Sequence, residues 1–128
     1  MIRAKDAAAL AARLLLAVIF FTSSIAKIGS WQGNVEYARS HHLPLPSIAV
    51  AAALVVELAT WMALVTGFGV RTAAAAAFLY LIPVTFALHA FLSTSFQKNL
   101  GIMGGLLMVV AFGPGAFAVG RHAARHAG

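Results

Sequence analysis

The chain has 128 residues, of which 62% are hydrophobic and only 9% are charged, and its formal net charge is +6. A soluble domain carries about 25% charged residues, so this composition excludes a soluble globular protein and indicates an integral membrane protein. The basic residues stand at the ends of apolar segments, which favours lipid headgroups over nucleic acid as their partner.

The first predicted membrane span covers about residues 7–28. Its basic start and short apolar core also suit a signal peptide, but three further apolar segments follow, so we expect an uncleaved span. At 100° per residue, one stripe of this helix carries Arg13, Phe20, Ser24 and Lys27. Because the stripe holds two cations and a serine, we expect it to face the interior of a bundle.

A loop follows, and within it residues 32–40 are predicted to form a short interfacial helix on the membrane surface. Trp31 and Tyr37 are residues typical of the membrane–water interface. Pro44 and Pro46 then interrupt the chain and begin the return into the bilayer.

The second span, about residues 47–66, carries Glu57 near its centre. A charged acid at mid-bilayer costs about 2.5–3.5 kcal/mol, so this residue must be protonated, hydrated or paired. Counting 1.5 Å per residue from the predicted span ends brings Arg13 within reach, and the sequence predicts an Arg13–Glu57 ion pair. Lys27 and His89 lie a helical turn or more away and reach Glu57 only through water or helix tilt. This polar cluster is either an ion pair that sets helix register or a proton or ligand site.

The third span, about residues 72–91, begins with five alanines that allow close helix approach, and Pro83 should bend it. The fourth span covers about residues 98–112. Within it, Gly101 and Gly105 form a small-xxx-small pattern, which indicates either helix packing or a face for homo-oligomers. Gly113-Pro114-Gly115 ends the helix, and a short interfacial segment with a basic tail follows.

The whole chain, residues 1–128, is therefore predicted to be one all-α domain, a four-transmembrane-helix bundle. Lysine and arginine residues divide six to three between its two ends, which places both termini in the cytoplasm. The six on the side of the termini are Arg3, Lys5, Arg13, Arg71, Arg121 and Arg125.

The sequence predicts neither a metal site nor a catalytic residue. His41, His42 and His89 have no carboxylate or cysteine nearby, and His122 and His126 stand in a basic tail. The chain contains no cysteine, which excludes disulfides and thiol redox chemistry within it. We therefore do not expect an isolated chain to be an enzyme.

Several of these residues together resemble the DoxX family of small bacterial membrane proteins. The resemblance rests on Arg13, Phe20-Phe21-x-x-Ser24-x-x-Lys27, the Leu-Pro before the second span, Glu57, Arg71 and Gly113-x-Gly115. It implies four transmembrane helices in the bacterial inner membrane. Some DoxX proteins are subunits of a thiosulfate:quinone oxidoreductase, and others act in oxidative-stress complexes with soluble redox proteins. The family pattern falls on Arg13, Lys27 and Glu57, and also on Arg71 and His89.

Three functions follow as hypotheses. The first is a subunit, non-catalytic alone, of a redox complex that binds quinone between the helices. Its polar groups would be Glu57, His89 and Lys27, and its pocket wall would be Phe20, Ser24, Trp61, Thr85 and Phe86. The second is a membrane scaffold that recruits a protein through the loop 29–46 and the basic tail. The third is a small-solute carrier, against which stands the single mid-membrane charge.

Overall fold

The computed structural model describes residues 3–119, and every regular element within them is an α-helix. These are α1 (Ala4–Gly29), α2 (Trp31–Ser40), α3 (Pro46–Thr66), α4 (Val70–Leu88) and α5 (Thr94–Phe112). By length and composition, α1, α3, α4 and α5 can each cross a membrane. The predicted all-α, four-helix membrane architecture is confirmed.

The four long helices form a ring. Helix α1 contacts α3 and α5, and α4 contacts the same two helices from the opposite side. The short helix α2 packs against the beginning of α3, at one end of the bundle. We call this the α2 end, and we call the opposite end, where residues 3 and 119 lie, the terminal end.

The boundary between the third and fourth spans differs from the prediction. Helix α4 ends at Leu88 rather than residue 91, and His89 follows it in an extended conformation. Helix α5 begins at Thr94, four residues before the predicted start at 98. The reason is Ser93, whose Oγ accepts a hydrogen bond from the Phe96 amide (3.2 Å) and caps the first turn. A serine at that position is a start signal that the sequence already contained.

The half of the bundle toward the terminal end is closely packed. Its buried core includes four alanines, and the predicted close approach of the alanine-rich start of α4 is seen in Ala74 and Ala77, neither of which is exposed. The buried residues of this core are Ala17, Phe20, Ala63, Leu64, Val70, Ala74, Ala77, Leu81, Met103, Leu106 and Val109. Small side chains let the helix backbones approach, which fixes helix spacing in this half.

The glycines of α5 divide between two environments. A Cβ on Gly105 would lie 3.0 Å from Leu16 of α1, so this glycine serves packing within the chain. Gly101 and Gly104 have open space around the same position. The helix-packing interpretation therefore accounts for Gly105, and the homo-oligomer face stays a prediction.

The segment 113–119 folds back across the terminal end after α5 stops. The Val119 amide donates to the carbonyl of Thr66 (2.8 Å), and Arg13 donates through Nη2 to the carbonyl of Phe117. The rest of the predicted tail, with Arg121, His122, Arg125 and His126, lies outside the described residues.

Two glycines make this arrangement possible. Gly67 has a φ of +81°, and a Cβ there would lie against Arg13 Nη1 and only 2.6 Å from the Cβ of Ala118. Gly113 has a φ of +74°, and a Cβ there would lie 2.8 Å from Nε of Arg71. Both positions have a positive φ that favours glycine, and at Gly67 the added Cβ would also meet the less adaptable Ala118.

We predict that Gly67→Ala lowers the free energy of unfolding by about 2–4 kcal/mol, because backbone strain and a steric clash add together. The matched control is Gly69→Ala, since Gly69 also has a positive φ (+62°) but no atom within 4 Å of the added Cβ. This control should lose about 1 kcal/mol from strain alone. Unfolding in mixed detergent micelles, followed by circular dichroism, measures both. Equal losses in the two variants would contradict the close contact at Gly67.

Candidate functional site

Glu57 is the buried centre of a polar cluster whose other members are partly buried. It is the twelfth of the 21 residues of α3, and it is only 5% exposed. Its Oε1 accepts hydrogen bonds from Lys27 Nζ (2.9 Å), Ser23 Oγ (3.0 Å) and the Tyr80 hydroxyl (3.2 Å). A carboxylate that must be buried in the middle of a membrane span is thus matched by three donors from two other helices.

The local sequence explains how α1 supplies two of these donors. Ser23 and Lys27 are four residues apart, so they lie on the same face of the helix. Lys27 Nζ also donates to Ser23 Oγ (3.0 Å), which links the two side chains before they reach the carboxylate. Tyr80 lies on α4, three residues before Pro83, and its hydroxyl donates a hydrogen bond to Glu57 Oε1.

The predicted ion pair between Arg13 and Glu57 is wrong, and Lys27 takes the place of Arg13. Ser23 is level with Glu57, and Arg13 lies ten residues earlier on α1, about 15 Å along the axis, which no arginine side chain spans. The prediction failed because it placed the end of the first span and the start of the second span at the same height. Ser23 is six residues from the end of α1, whereas Glu57 is eleven residues from the start of α3. Helix α3 therefore extends about 7.5 Å beyond α1, at the level where α2 packs beside it.

Arg13 belongs to the terminal end. It is 2% exposed and bonds to the carbonyl of Phe117, so it holds the segment 113–119 against the bundle. The inward direction predicted for the stripe of Arg13 is confirmed by this burial. Its contribution is to the fold of the terminal end and not to the cluster around Glu57.

A cavity of about 570 Å³ lies directly beside Glu57. Its wall is formed by the parts of α1, α3, α4 and α5 nearer the α2 end, together with α2 itself. Most of the wall is apolar. Its polar members are Ser23, Lys27, Asn34, Tyr37, Glu57, Tyr80, His89 and Asn99.

The cavity extends from the α2 end toward the middle of the bundle, as the positions of its polar residues along their helices show. Tyr37 and His89 are near the α2 end, whereas Glu57 and Tyr80 lie near the middle of α3 and α4. The Tyr37 hydroxyl donates to the carbonyl of Leu88 (2.9 Å) and so ties α2 to the end of α4 beside the cavity. We call the Glu57 and Tyr80 side the floor of the cavity.

Four of the predicted site residues line this cavity, namely Phe20, Lys27, Glu57 and His89. Two of the predicted polar wall residues are buried elsewhere. Ser24 donates back to the carbonyl of Phe20 (2.7 Å), and Thr85 accepts from Asn99 Nδ2 (3.1 Å).

The two remaining predicted wall residues are aromatic, and neither lines the cavity. Trp61 packs against Phe21 with ring centroids 5.3 Å apart. Phe86 is 61% exposed and stacks edge-on against Phe96. The aromatic side chain that does face the carboxylate is instead Tyr80.

Sequence reasoning missed Ser23 and Tyr80, although a signal existed for each. Ser23 precedes Lys27 by four residues and Ser24 precedes it by three, so both are neighbours of Lys27 on a helix. Which of the two serines meets Glu57 depends on where α3 lies against α1. A tyrosine in the middle of an apolar span needs a partner for its hydroxyl, which points to a buried acceptor such as Glu57.

The second oxygen of the carboxylate is the unpaired acceptor of the cluster. Glu57 Oε2 is buried and has no hydrogen-bond partner within residues 3–119. In the same part of the chain, no group of three or more His, Cys, Asp or Glu residues is arranged to hold a metal ion. The arrangement suits a small molecule with an apolar body and a polar group that meets Glu57 and Lys27.

Comparison with known proteins gives two kinds of match. The family model described as DoxX matches residues 8–90. Inner membrane protein YqjF of Escherichia coli (strain K12) is 29% identical over 122 residues, which are 91% of this chain and 92% of the relative. Inner membrane protein YphA of the same organism is 28% identical over 122 residues, covering 88% of this chain and 87% of the relative. No solved structure matches the chain.

We predict that Lys27→Met destabilises the protein by about 3 kcal/mol, because it leaves the Glu57 carboxylate buried without its counter-charge. The double variant Lys27→Met/Glu57→Leu should regain most of this loss, since no buried charge remains. Unfolding in mixed micelles measures the free energies. Arg39→Met is the control, because its ion pair with Glu36 is exposed and should contribute about 0–1 kcal/mol. A single variant as stable as the double variant would refute the pairing.

Proposed function

The chain belongs to the DoxX family of integral membrane proteins, and from this premise we propose that it is a quinone-binding membrane subunit of a redox complex. Its apolar helices and its inner-membrane relatives agree with a multi-pass protein of the bacterial inner membrane. The observation that carries the proposal is the cavity, whose apolar wall leads to a floor with a partly buried ion pair.

The size and polarity of the cavity suit the head of a quinone. Its volume of about 570 Å³ falls within the usual range of about 300–1,000 Å³ for small-molecule sites. An apolar wall with a few polar groups at one end matches a ring that is apolar except for its oxygen atoms. Lys27 would donate a hydrogen bond to one of these oxygens at the floor, and His89 and Asn99 stand elsewhere on the wall as further polar contacts.

The electrons of such a complex would come from a partner protein. The chain has no cysteine, so it contributes no thiol couple of its own. Its contribution would be to draw the quinone from the bilayer, to orient its ring and to keep the oxygens in hydrogen-bonding contact. This division of labour makes the chain a subunit that is not catalytic alone.

We predict that the protein purified from bacterial membranes carries quinone, detected by extraction into organic solvent and chromatography. Ala53→Phe should remove most of it, because Ala53 is buried in the cavity wall and a phenyl ring would occupy the cavity. Ala51→Phe is the matched control, since Ala51 is exposed on the same helix and does not line the cavity.

Two results would count against the quinone proposal. One is a wild-type protein that takes up no quinone from any lipid mixture. The other is equal retention by Ala53→Phe and Ala51→Phe, which would place bound quinone outside the cavity. If in addition a protein partner is lost on deletion of residues 31–45, the scaffold function replaces the quinone function.

The same proposal includes an orientation, with both termini in the cytoplasm and the α2 end outside. The chain has no natural cysteine, so single cysteines report the side directly. Gln32→Cys at the α2 end should react with a membrane-impermeant maleimide on intact cells whose outer membrane is permeabilised. Phe68→Cys, 66% exposed in the turn at the terminal end, should react only after lysis. The reverse labelling pattern would invert the orientation.

A further inference from the structure

The hydrogen bonds at the floor of the cavity are distributed unevenly over the Glu57 carboxylate. All three protein donors, from Lys27, Ser23 and Tyr80, converge on Oε1. Oε2 is buried and accepts nothing from residues 3–119. A buried carboxylate oxygen without a donor is costly, so a ligand that donates a hydrogen bond there gains more than one that does not.

A count of the hydrogens shows what the floor can still offer. The hydroxyl groups of Ser23 and Tyr80 both donate their hydrogen to Glu57 Oε1. Lys27 uses two of its three N–H groups, on Glu57 and on Ser23, and one remains. Within the described part of the chain, the inventory therefore leaves one buried, unpaired acceptor, Oε2, and one unused N–H on the neighbouring lysine.

This inventory fits a hydroxyl group better than a carbonyl. A hydroxyl on an aromatic ring can donate to Oε2 and accept from Lys27 with the same oxygen. A quinone carbonyl has only lone pairs, so it can accept from Lys27 but would turn those lone pairs toward the Glu57 carboxylate. The geometry therefore separates the reduced form of the ligand from the oxidised form.

We propose that the cavity binds the hydroquinone form in preference to the quinone, and that Glu57 is the residue that determines this specificity. The inference rests on the proposed function, because it assumes that the cavity accepts a quinone-class ring. Its physical basis is a charge-assisted O–H to carboxylate hydrogen bond, which the oxidised ring cannot form.

The test compares two rings that differ only in oxidation state. The protein is reconstituted in nanodiscs of quinone-free phospholipid and titrated anaerobically with trimethylhydroquinone or trimethylbenzoquinone in a calorimeter. We expect the hydroquinone to bind at least about tenfold more tightly, a ratio equivalent to about 1.4 kcal/mol. The dimethyl ether of the hydroquinone has no hydroxyl hydrogen, and it should bind no better than the quinone.

A substitution then assigns the preference to the carboxylate. In Glu57→Gln, the amide oxygen takes the place of Oε1 and keeps the three protein donors, while an NH₂ donor takes the place of Oε2. The ratio of hydroquinone affinity to quinone affinity should therefore fall to about one or below. Glu36→Gln, on the exposed surface of α2, should leave the ratio unchanged. If Glu57→Gln does not fold, the wild-type comparison of hydroquinone, quinone and dimethyl ether decides alone.

The outcomes separate this inference from the proposed function. Equal binding of both rings, or tighter binding of the quinone, overturns the inference and leaves a quinone site in place. Binding of the dimethyl ether as tight as that of the hydroquinone also overturns it. If no ring binds in the cavity, the proposed function fails, and the inference fails with it.

Discussion

A carboxyl group in the middle of an apolar helix constrains the whole bundle. Glu57 stands at the centre of a membrane span, far from the headgroups, and its hydrogen-bond donors come from neighbouring helices at the same height. These donors are Ser23 and Lys27 on α1 and Tyr80 on α4. Their convergence fixes the register of α1 and α4 against α3. Because α3 consequently extends beyond α1, the short helix α2 packs against the part of α3 that would otherwise stand alone.

The register divides the bundle into two halves of different character. Toward the terminal end, buried alanines let the helices approach closely, and Arg13 and two left-handed glycines hold the returning segment in place. Toward the α2 end, the long side chains of Lys27, Glu57 and Tyr80 face inward and meet at their tips, and the space beside them is the cavity. The closely packed half therefore positions the helices, and the other half contains the cavity.

Much of this fold follows from the sequence. Hydropathy identifies the four spans, and the helical spacing of Arg13, Phe20 and Lys27 identifies the inward face of α1. The partner of Glu57 did not follow, because choosing between Arg13 and Lys27 requires the relative heights of two helices. Those heights depend on how α2 packs between α1 and α3, which is a tertiary property. For the same reason the sequence placed Trp61 and Phe86 on the cavity wall, where the structure has Tyr80.

The side-by-side placement of Lys27 and Glu57 has an electrical consequence. The formal charges of this ion pair sum to zero. Moving a lone elementary charge across the membrane changes its energy by about 2.3 kcal/mol per 100 mV of transmembrane voltage. The same voltage exerts no net force on a neutral pair. An uncharged molecule that enters beside the pair therefore moves no charge across the field.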